Sequence, residues 1–296
     1  DFRLYAMLDA DDSTFATERI RKGPMMDDEY LMVRSLKLYA DGALGSRGAA
    51  MIEPYDDDPG NTGLMQHPRE VLLGWTVLAL ENGYQVCTHA IGDKGNRVML
   101  DVYEEALSRV SVTDARLRIE HAQIIHLDDI PRFHRLGVIP AMQPTHATSD
   151  MYWAEDRVGA ERIRGAYAWR SLIDAGCLIA CGSDFPVEAV GPLLGIYAAV
   201  TRQDPKGWPK GGWYPEEKMT IEEAVSGFTR HAAYARFAEN INGTLEVGKL
   251  ADLTVLDKDL MAIAPEEILT TNVVMTVIGG QVVYSATTNE SDIHAR

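Results

Sequence analysis

The sequence is short of positive charge. Its 28 lysines and arginines face 44 aspartates and glutamates, a formal net charge of −16, and such a chain lacks the basic surface that nucleic-acid phosphates or anionic lipid headgroups require. Nucleic acid and membrane are therefore not expected partners, and a small-molecule substrate remains. No run of about 18 apolar residues occurs, so no segment reads as a membrane-spanning helix. A signal-peptide pattern is also missing: Asp1-Phe2-Arg3 passes directly into the strand-like Leu4-Tyr5-Ala6-Met7-Leu8, as though the chain began inside a fold. Cysteine is scarce. Cys87, Cys177 and Cys181 are odd in number and lie in apolar stretches, which argues against a disulfide framework and for reduced core thiols in a cytoplasmic setting. No Gly-x-Gly-x-x-Gly follows a predicted strand, which counts against a nucleotide-binding sheet. Internal repeats and low-complexity tracts are absent as well.

What the chain does have is apolar material, 46% of 296 residues, enough for one large core or a large domain with a small one. Residues 177–189 show its use. Five small or apolar residues run without a charge into Gly182, Ser183 and Asp184, the pattern of a strand covered on both faces that ends in a carboxylate. Comparable strands are expected over residues 2–9, 31–39, 84–89, 117–121 and 138–143. Helices are expected over 68–82, 94–110 and 128–136, from the loop containing His146 and Asp150 as far as Gly176, and over 220–239. The Gly-, Pro- and Asp-rich segment 42–67 is too long for an ordinary connection, and such loops are commonly functional.

Strands separated by helices form a βα repeat, read either as a doubly wound sheet or as an eightfold barrel. The missing glycine fingerprint favours the barrel. A TIM-type (β/α)8 barrel needs eight strands, and about six βα units are present, so the first two strands are expected to be missing upstream. After Asn242 the rhythm changes to short β segments with Gly279-Gly280 at a hairpin turn. The expected division is a partial barrel over 1–242 and part of a small β-sandwich over 243–296, with a frayed polar end from Ser285 to Arg296. Open strand edges on such a partial barrel point to association, in a homo-oligomer.

Lys37, His89, His121 and Asp184 each stand at or near the end of a different predicted strand, where parallel α/β folds place their chemistry. Closure of a barrel would bring them to one rim. Imidazoles and a carboxylate are suitable ligands for zinc, and also for iron, manganese or nickel, and an aspartate beside a metal-activated water can act as general base. Lys37 alone also fits a Schiff-base lyase or isomerase.

The constellation resembles the amidohydrolase superfamily, and within it amidohydrolase family 3, the branch that includes the N-substituted formamide deformylases. The resemblance covers nearly the whole chain. It rests on Lys37-Leu38-Tyr39-Ala40-Asp41-Gly42-Ala43-Leu44-Gly45-Ser46-Arg47, Thr88-His89-Ala90-Ile91-Gly92-Asp93, Ile119-Glu120-His121-Ala122, Met142-Gln143-Pro144-Thr145-His146 followed by Asp150, Gly182-Ser183-Asp184-Phe185-Pro186, and Gly248-Lys249-Leu250-Ala251-Asp252-Leu253-Thr254-Val255-Leu256-Asp257. It implies a metal-dependent hydrolase of a non-peptide C–N bond in an amide, formamide or cyclic amide. It also implies that His89 and His121 bind a second metal, that Asp184 ligates the first and is the catalytic base, and that Lys37, carboxylated, bridges the two. Arg47, Gln143 and His146 are candidate substrate contacts. The family's first strand carries His-x-His, whereas none of the eight histidines here has another two positions away. The chain therefore resembles the C-terminal part of a family member, and the alternative expectation is an inactive fragment lacking those ligands.

Overall fold

The computed structural model describes residues 2–27 and 30–286, so most of the polar end lies outside the described residues. The chain forms two compact units. The first comprises Phe2–Met142 and Ser149–Ala180, and the second comprises Gln143–Thr148 and the described residues from Cys181 onward.

The first unit is built on a parallel sheet. Its strands are β1 (Leu4–Asp9), β2 (Met25–Asp27), β3 (Leu31–Tyr39), β4 (Gln85–Ala90), β5 (Arg118–His121), β6 (Ile139–Met142) and β7 (Ala180–Cys181), of which Cys181 already belongs to the second unit. The order is β1-β3-β4-β5-β6-β7, and β1/β3, β3/β4, β4/β5 and β5/β6 are parallel. β2 runs antiparallel on β3. All of β6 and most of β4 and β5 are buried, which is why they read in sequence as unbroken apolar runs.

The helices α2 (Arg69–Glu81), α3 (Asp93–Arg109) and α4 (Ile130–Leu136) connect these strands as expected, and α1 (Ser13–Ile20) adds a short helix between β1 and β2. Side chains from α3 reach into the sheet: the Tyr103 hydroxyl lies 2.7 Å from Thr88 Oγ1 on β4 and donates to the Arg118 carbonyl on β5 at 2.8 Å. The expected loop with His146 and Asp150 forms a helix, α5 (Pro144–Asp150), and the single long helix expected after it is instead α6 (Ala154–Arg162), a 3-10 turn (Ile163–Gly165) and α7 (Trp169–Asp174). Gly159 explains one break. Its φ of 73° and ψ of 168° are not helical, and a β-carbon there would lie 2.1 Å from Asp56 Oδ2, so α6 yields to the incoming 42–67 segment.

In the second unit α8 (Pro192–Thr201) packs on a 3-10 segment, Pro265–Thr270. The helix expected over 220–239 starts at a capping box, Thr220 with Glu223. It runs as α9 (Ile221–Ser226), a π turn over 227–231 and α10 (Ala232–Ala235). Antiparallel strands β8 (Leu253–Leu256), β9 (Val273–Ile278) and β10 (Gln281–Ser285) make one sheet in the order β10-β9-β8, with the hairpin at Gly279-Gly280 as expected. Residues 243–252, expected as β, lie before β8 and form no strand.

Trp169 is the largest fully buried side chain. Trp169→Ala should cost about 3–5 kcal/mol, the scale for removing a core aromatic. Urea denaturation should show a lower midpoint with an unchanged slope, and a loss under ~1 kcal/mol would show that the site collapses around the deletion.

Candidate functional site

Lys37, His89 and His121 come from three neighbouring parallel strands. In register, Lys37 stands beside Cys87 and Cys87 beside Arg118; two residues further on, Tyr39 stands beside His89 and His89 beside Glu120. Strand alternation puts such rows on one face of the sheet, so Lys37, Tyr39, His89, Arg118 and Glu120 share a face. Lys37 Nζ lies 4.8 Å from the Tyr39 ring centroid.

By the same alternation His121 belongs to the opposite face. It escapes because its backbone is left-handed (φ 75°), as is that of Ala122 (φ 44°), and β5 ends there. The turned imidazole meets that of His89 edge to face, with centroids 4.7 Å apart and planes at 70°. Non-glycine residues in this region cost of order 1–3 kcal/mol each, and such strain collects at functional positions. The structure thus brings two of the expected metal ligands together at adjacent strand ends.

Below them Arg118 and Glu120 form a two-point ion pair, Nε to Oε1 at 2.8 Å and Nη2 to Oε2 at 2.9 Å. Burial pushes the Glu120 carboxyl up, but the charges of Arg118 and Lys37 and the Arg118 hydrogen bond outweigh it, so the group sits below the usual carboxylate value. Sequence reasoning passed over Glu120, although Arg118 and Glu120 two apart in a buried strand were a visible sign of a paired interior charge.

Asp41 was passed over too. It follows β3 directly and is fully buried. Oδ2 accepts the backbone N–H of Ala50 at 2.9 Å and of Gly92 at 2.8 Å, and Oδ1 accepts that of Ile91 at 2.9 Å. Burial pushes this carboxyl up to about 7 against those three donors. Oδ1 also lies 3.5 Å from His89 Nε2.

The 42–67 segment is closely tied down. Arg47 makes a two-point pair with Asp57 at 2.9 and 2.8 Å, and Arg157 of α6 binds the same carboxylate. Arg162 donates to the Glu53 and Pro54 carbonyls and to Asp56, each at 2.7 Å. The expected substrate contact Arg47 is therefore engaged within the first unit, as part of a loop anchor.

The second unit carries the other candidates. Gln143 directly follows β6 and is buried, and its carbonyl accepts the His146 N–H at 3.0 Å. His146, in α5, is buried, and its Nε2 lies 3.7 Å from Asp184 Oδ2. Burial holds the His146 imidazole below its ordinary value, and the charges of Asp184 and Glu188 oppose that only in part. Asp184 lies three residues past β7, with a left-handed backbone (φ 59°) and a side chain 36% exposed. A buried neutral imidazole beside a part-exposed carboxylate is an arrangement able to take up and return a proton.

The paired imidazoles, and the carboxylate beside His146, lie within the motifs on which the resemblance rests. The chain belongs to the amidohydrolase family, whose profile matches residues 5–284. It is 36% identical over 269 residues to YtcJ of Bacillus subtilis (strain 168), covering 91% of this chain and 50% of that protein. It is 28% identical over 270 residues to the N-substituted formamide deformylase of Arthrobacter pascens, covering 89% and 48%. Among solved structures it resembles a metal-dependent hydrolase from Pyrococcus horikoshii OT3, with TM-score 0.78 and 32% identity, covering 89% of this chain and 52% of that one. The chain spans about half the length of the curated relatives it matches.

The Arg47 hydrogen bond holds the Asp57 carboxyl below its ordinary value. A depressed carboxylate contributes fully above its unfolded pKa, ~3.9, and loses that contribution as pH falls through the lower folded value. Amide exchange in residues 42–62, corrected for intrinsic rates, should therefore stay slow until the pH is below ~3.9. Asp57→Asn should raise it at neutral pH by up to about fivefold, the scale of an exposed pair. Exchange unchanged by the substitution would show that the backbone contacts alone anchor the loop.

Proposed function

We propose that this chain carries metal-ligating and proton-transferring residues of a hydrolase that cleaves a non-peptide C–N bond, in an amide, formamide or cyclic amide. The observation that carries the reading is the pair of imidazoles at adjacent parallel strand ends, one turned to meet the other by a left-handed backbone. The donors fit a divalent ion: imidazole suits zinc first, and equally iron or nickel, and a carboxylate adds affinity for manganese. In this reading His89, His121, Asp184 and a carboxylated Lys37 would be the ligands of the divalent metal. An ion so held supplies a bound water with a pKa near ~7. Asp184 takes the proton of the attacking water and returns it to the leaving nitrogen. Gln143 and His146 contact the substrate from the end of β6, and Arg47 acts at one remove, by fixing the 42–67 segment.

Support comes from the family and from two names, the formamide deformylase among the relatives and the metal-dependent hydrolase among the structures. The same reading places the sheet in a partial (β/α)8 barrel over 1–242 and the three-stranded sheet in the C-terminal part of a small β-sandwich over 243–296, with a small-molecule substrate, self-association and a cytoplasmic setting. A second reading, a metal-binding but inactive piece, is motivated by the absence of His-x-His from this sequence.

The test uses N-formyl and N-acyl amines with zinc supplied, on this chain and on one extended upstream by the portion its relatives add. Asp184→Asn should lower turnover by about 10²–10⁴-fold, the range for losing a general base, with metal content measured alongside. Full turnover at full metal occupancy would remove Asp184 from the mechanism. Turnover by the extended chain alone would select the second reading for this one.

A further inference from the structure

We infer that Asp41 is a positioning residue: together with the Gly42 carbonyl it holds His89 with the proton on Nε2, leaving Nδ1 as the ring nitrogen that binds a metal. The inference rests on the reading of His89 as a ligand.

Nε2 of His89 lies 3.4 Å from the Gly42 carbonyl oxygen and 3.5 Å from Asp41 Oδ1. A carbonyl oxygen can only accept, so a nitrogen set against it is the one bearing hydrogen. In a neutral imidazole the lone pair then belongs to Nδ1, and a ligating histidine whose second nitrogen faces a carboxylate or carbonyl has its tautomer and orientation fixed by that contact. The contacts are long for hydrogen bonds in the absence of a metal, yet their geometry is tightly constrained. Asp41 cannot swing away, because Ala50 within the 42–67 segment, and Ile91 and Gly92 beyond β4, donate to its two oxygens. Nor can the strand ends slide, because the Ala40 N–H donates to the His89 carbonyl at 2.8 Å. The donors at Ile91 and Gly92 follow His89 just past the end of β4, so one carboxylate fixes both the backbone after the histidine and the nitrogen at the tip of its ring.

An asparagine at 41 has one oxygen for these donors. With that oxygen under Ala50 and Gly92, its amide NH2 would face Ile91 N–H and His89 Nε2, forcing the ring to rotate or to move its proton to Nδ1. Gly92→Ala is the matching control. Its β-carbon would lie 2.0 Å from the Ala50 carbonyl oxygen, so it strains the same junction and leaves the carboxylate in place.

The experiment is long-range proton–nitrogen NMR on the full chain with ¹⁵N-labelled histidine, free of metal, followed by zinc affinity measured by chelator competition. The expected result is an Nε2–H tautomer at His89, shifted in Asp41→Asn but not in Gly92→Ala, and a zinc affinity about 10–100-fold weaker in Asp41→Asn, the range for losing such a partner. An Nδ1–H tautomer in the unsubstituted chain overturns the inference even if Asp41→Asn fails to fold. Equal losses of affinity in both variants would also overturn it, since strain alone would then account for them. His89→Asn separates the two readings: unchanged zinc affinity there refutes the ligand assignment, whatever the tautomer.

Discussion

The carboxylate of Asp41 is the point on which this arrangement turns. It sits at 0% exposure just past β3 and receives three backbone N–H groups, two from the residues after His89 and one from the long segment that follows β3 itself. Burying a carboxylate is costly unless its lone pairs are satisfied, and leaving three interior N–H groups without an acceptor would be costly in turn. The two requirements are met by each other. The result is a rigid junction between the ends of two parallel strands, against which a 26-residue segment, 42–67, is laid down and then fastened at its far side by Arg47, Asp57, Arg157 and Arg162.

That junction changes the meaning of the motifs. Lys37 to Arg47 and Thr88 to Asp93 read as two separate clusters of chemistry, yet Asp41 and Gly92 from one and the other are partners in a single packing device, and Asp93 adds to it by accepting the Ile52 N–H at 2.8 Å. In those stretches Asp41 and Asp93 serve the backbone around the His89 imidazole through their hydrogen bonds to Ala50, Ile52, Ile91 and Gly92. The imidazoles themselves are placed by two departures from strand geometry, the end of β4 at Ala90 and the left-handed turn at His121.

The strands were legible where burial on both faces wrote an unbroken apolar run. β3 matches its expected bounds, and β4, β5 and β6 each lie within a residue or two. His89 and His121 were legible because both follow such runs. The kink at Gly159 in α6 was not, since it answers to Asp56 from another part of the chain. Residues 192–201 escaped notice because the helix there is apolar on nearly all sides and shows no amphipathic period. The edge strand β2 is three residues long and exists only through its pairing with β3. Asp41 carried no signal beyond its place after a strand, and its partners lie 9, 50 and 51 residues away. Glu120 could have been found from its two-residue spacing to Arg118.

The account as a whole depends on the paired imidazoles binding a metal through nitrogen. X-ray absorption at the edge of the bound metal tests this directly. The account predicts a nitrogen and oxygen shell at about 2.0–2.2 Å, with imidazole scattering that weakens in His89→Asn and in His121→Asn. A sulfur shell near ~2.3 Å, or imidazole scattering unaltered in both variants, would contradict it.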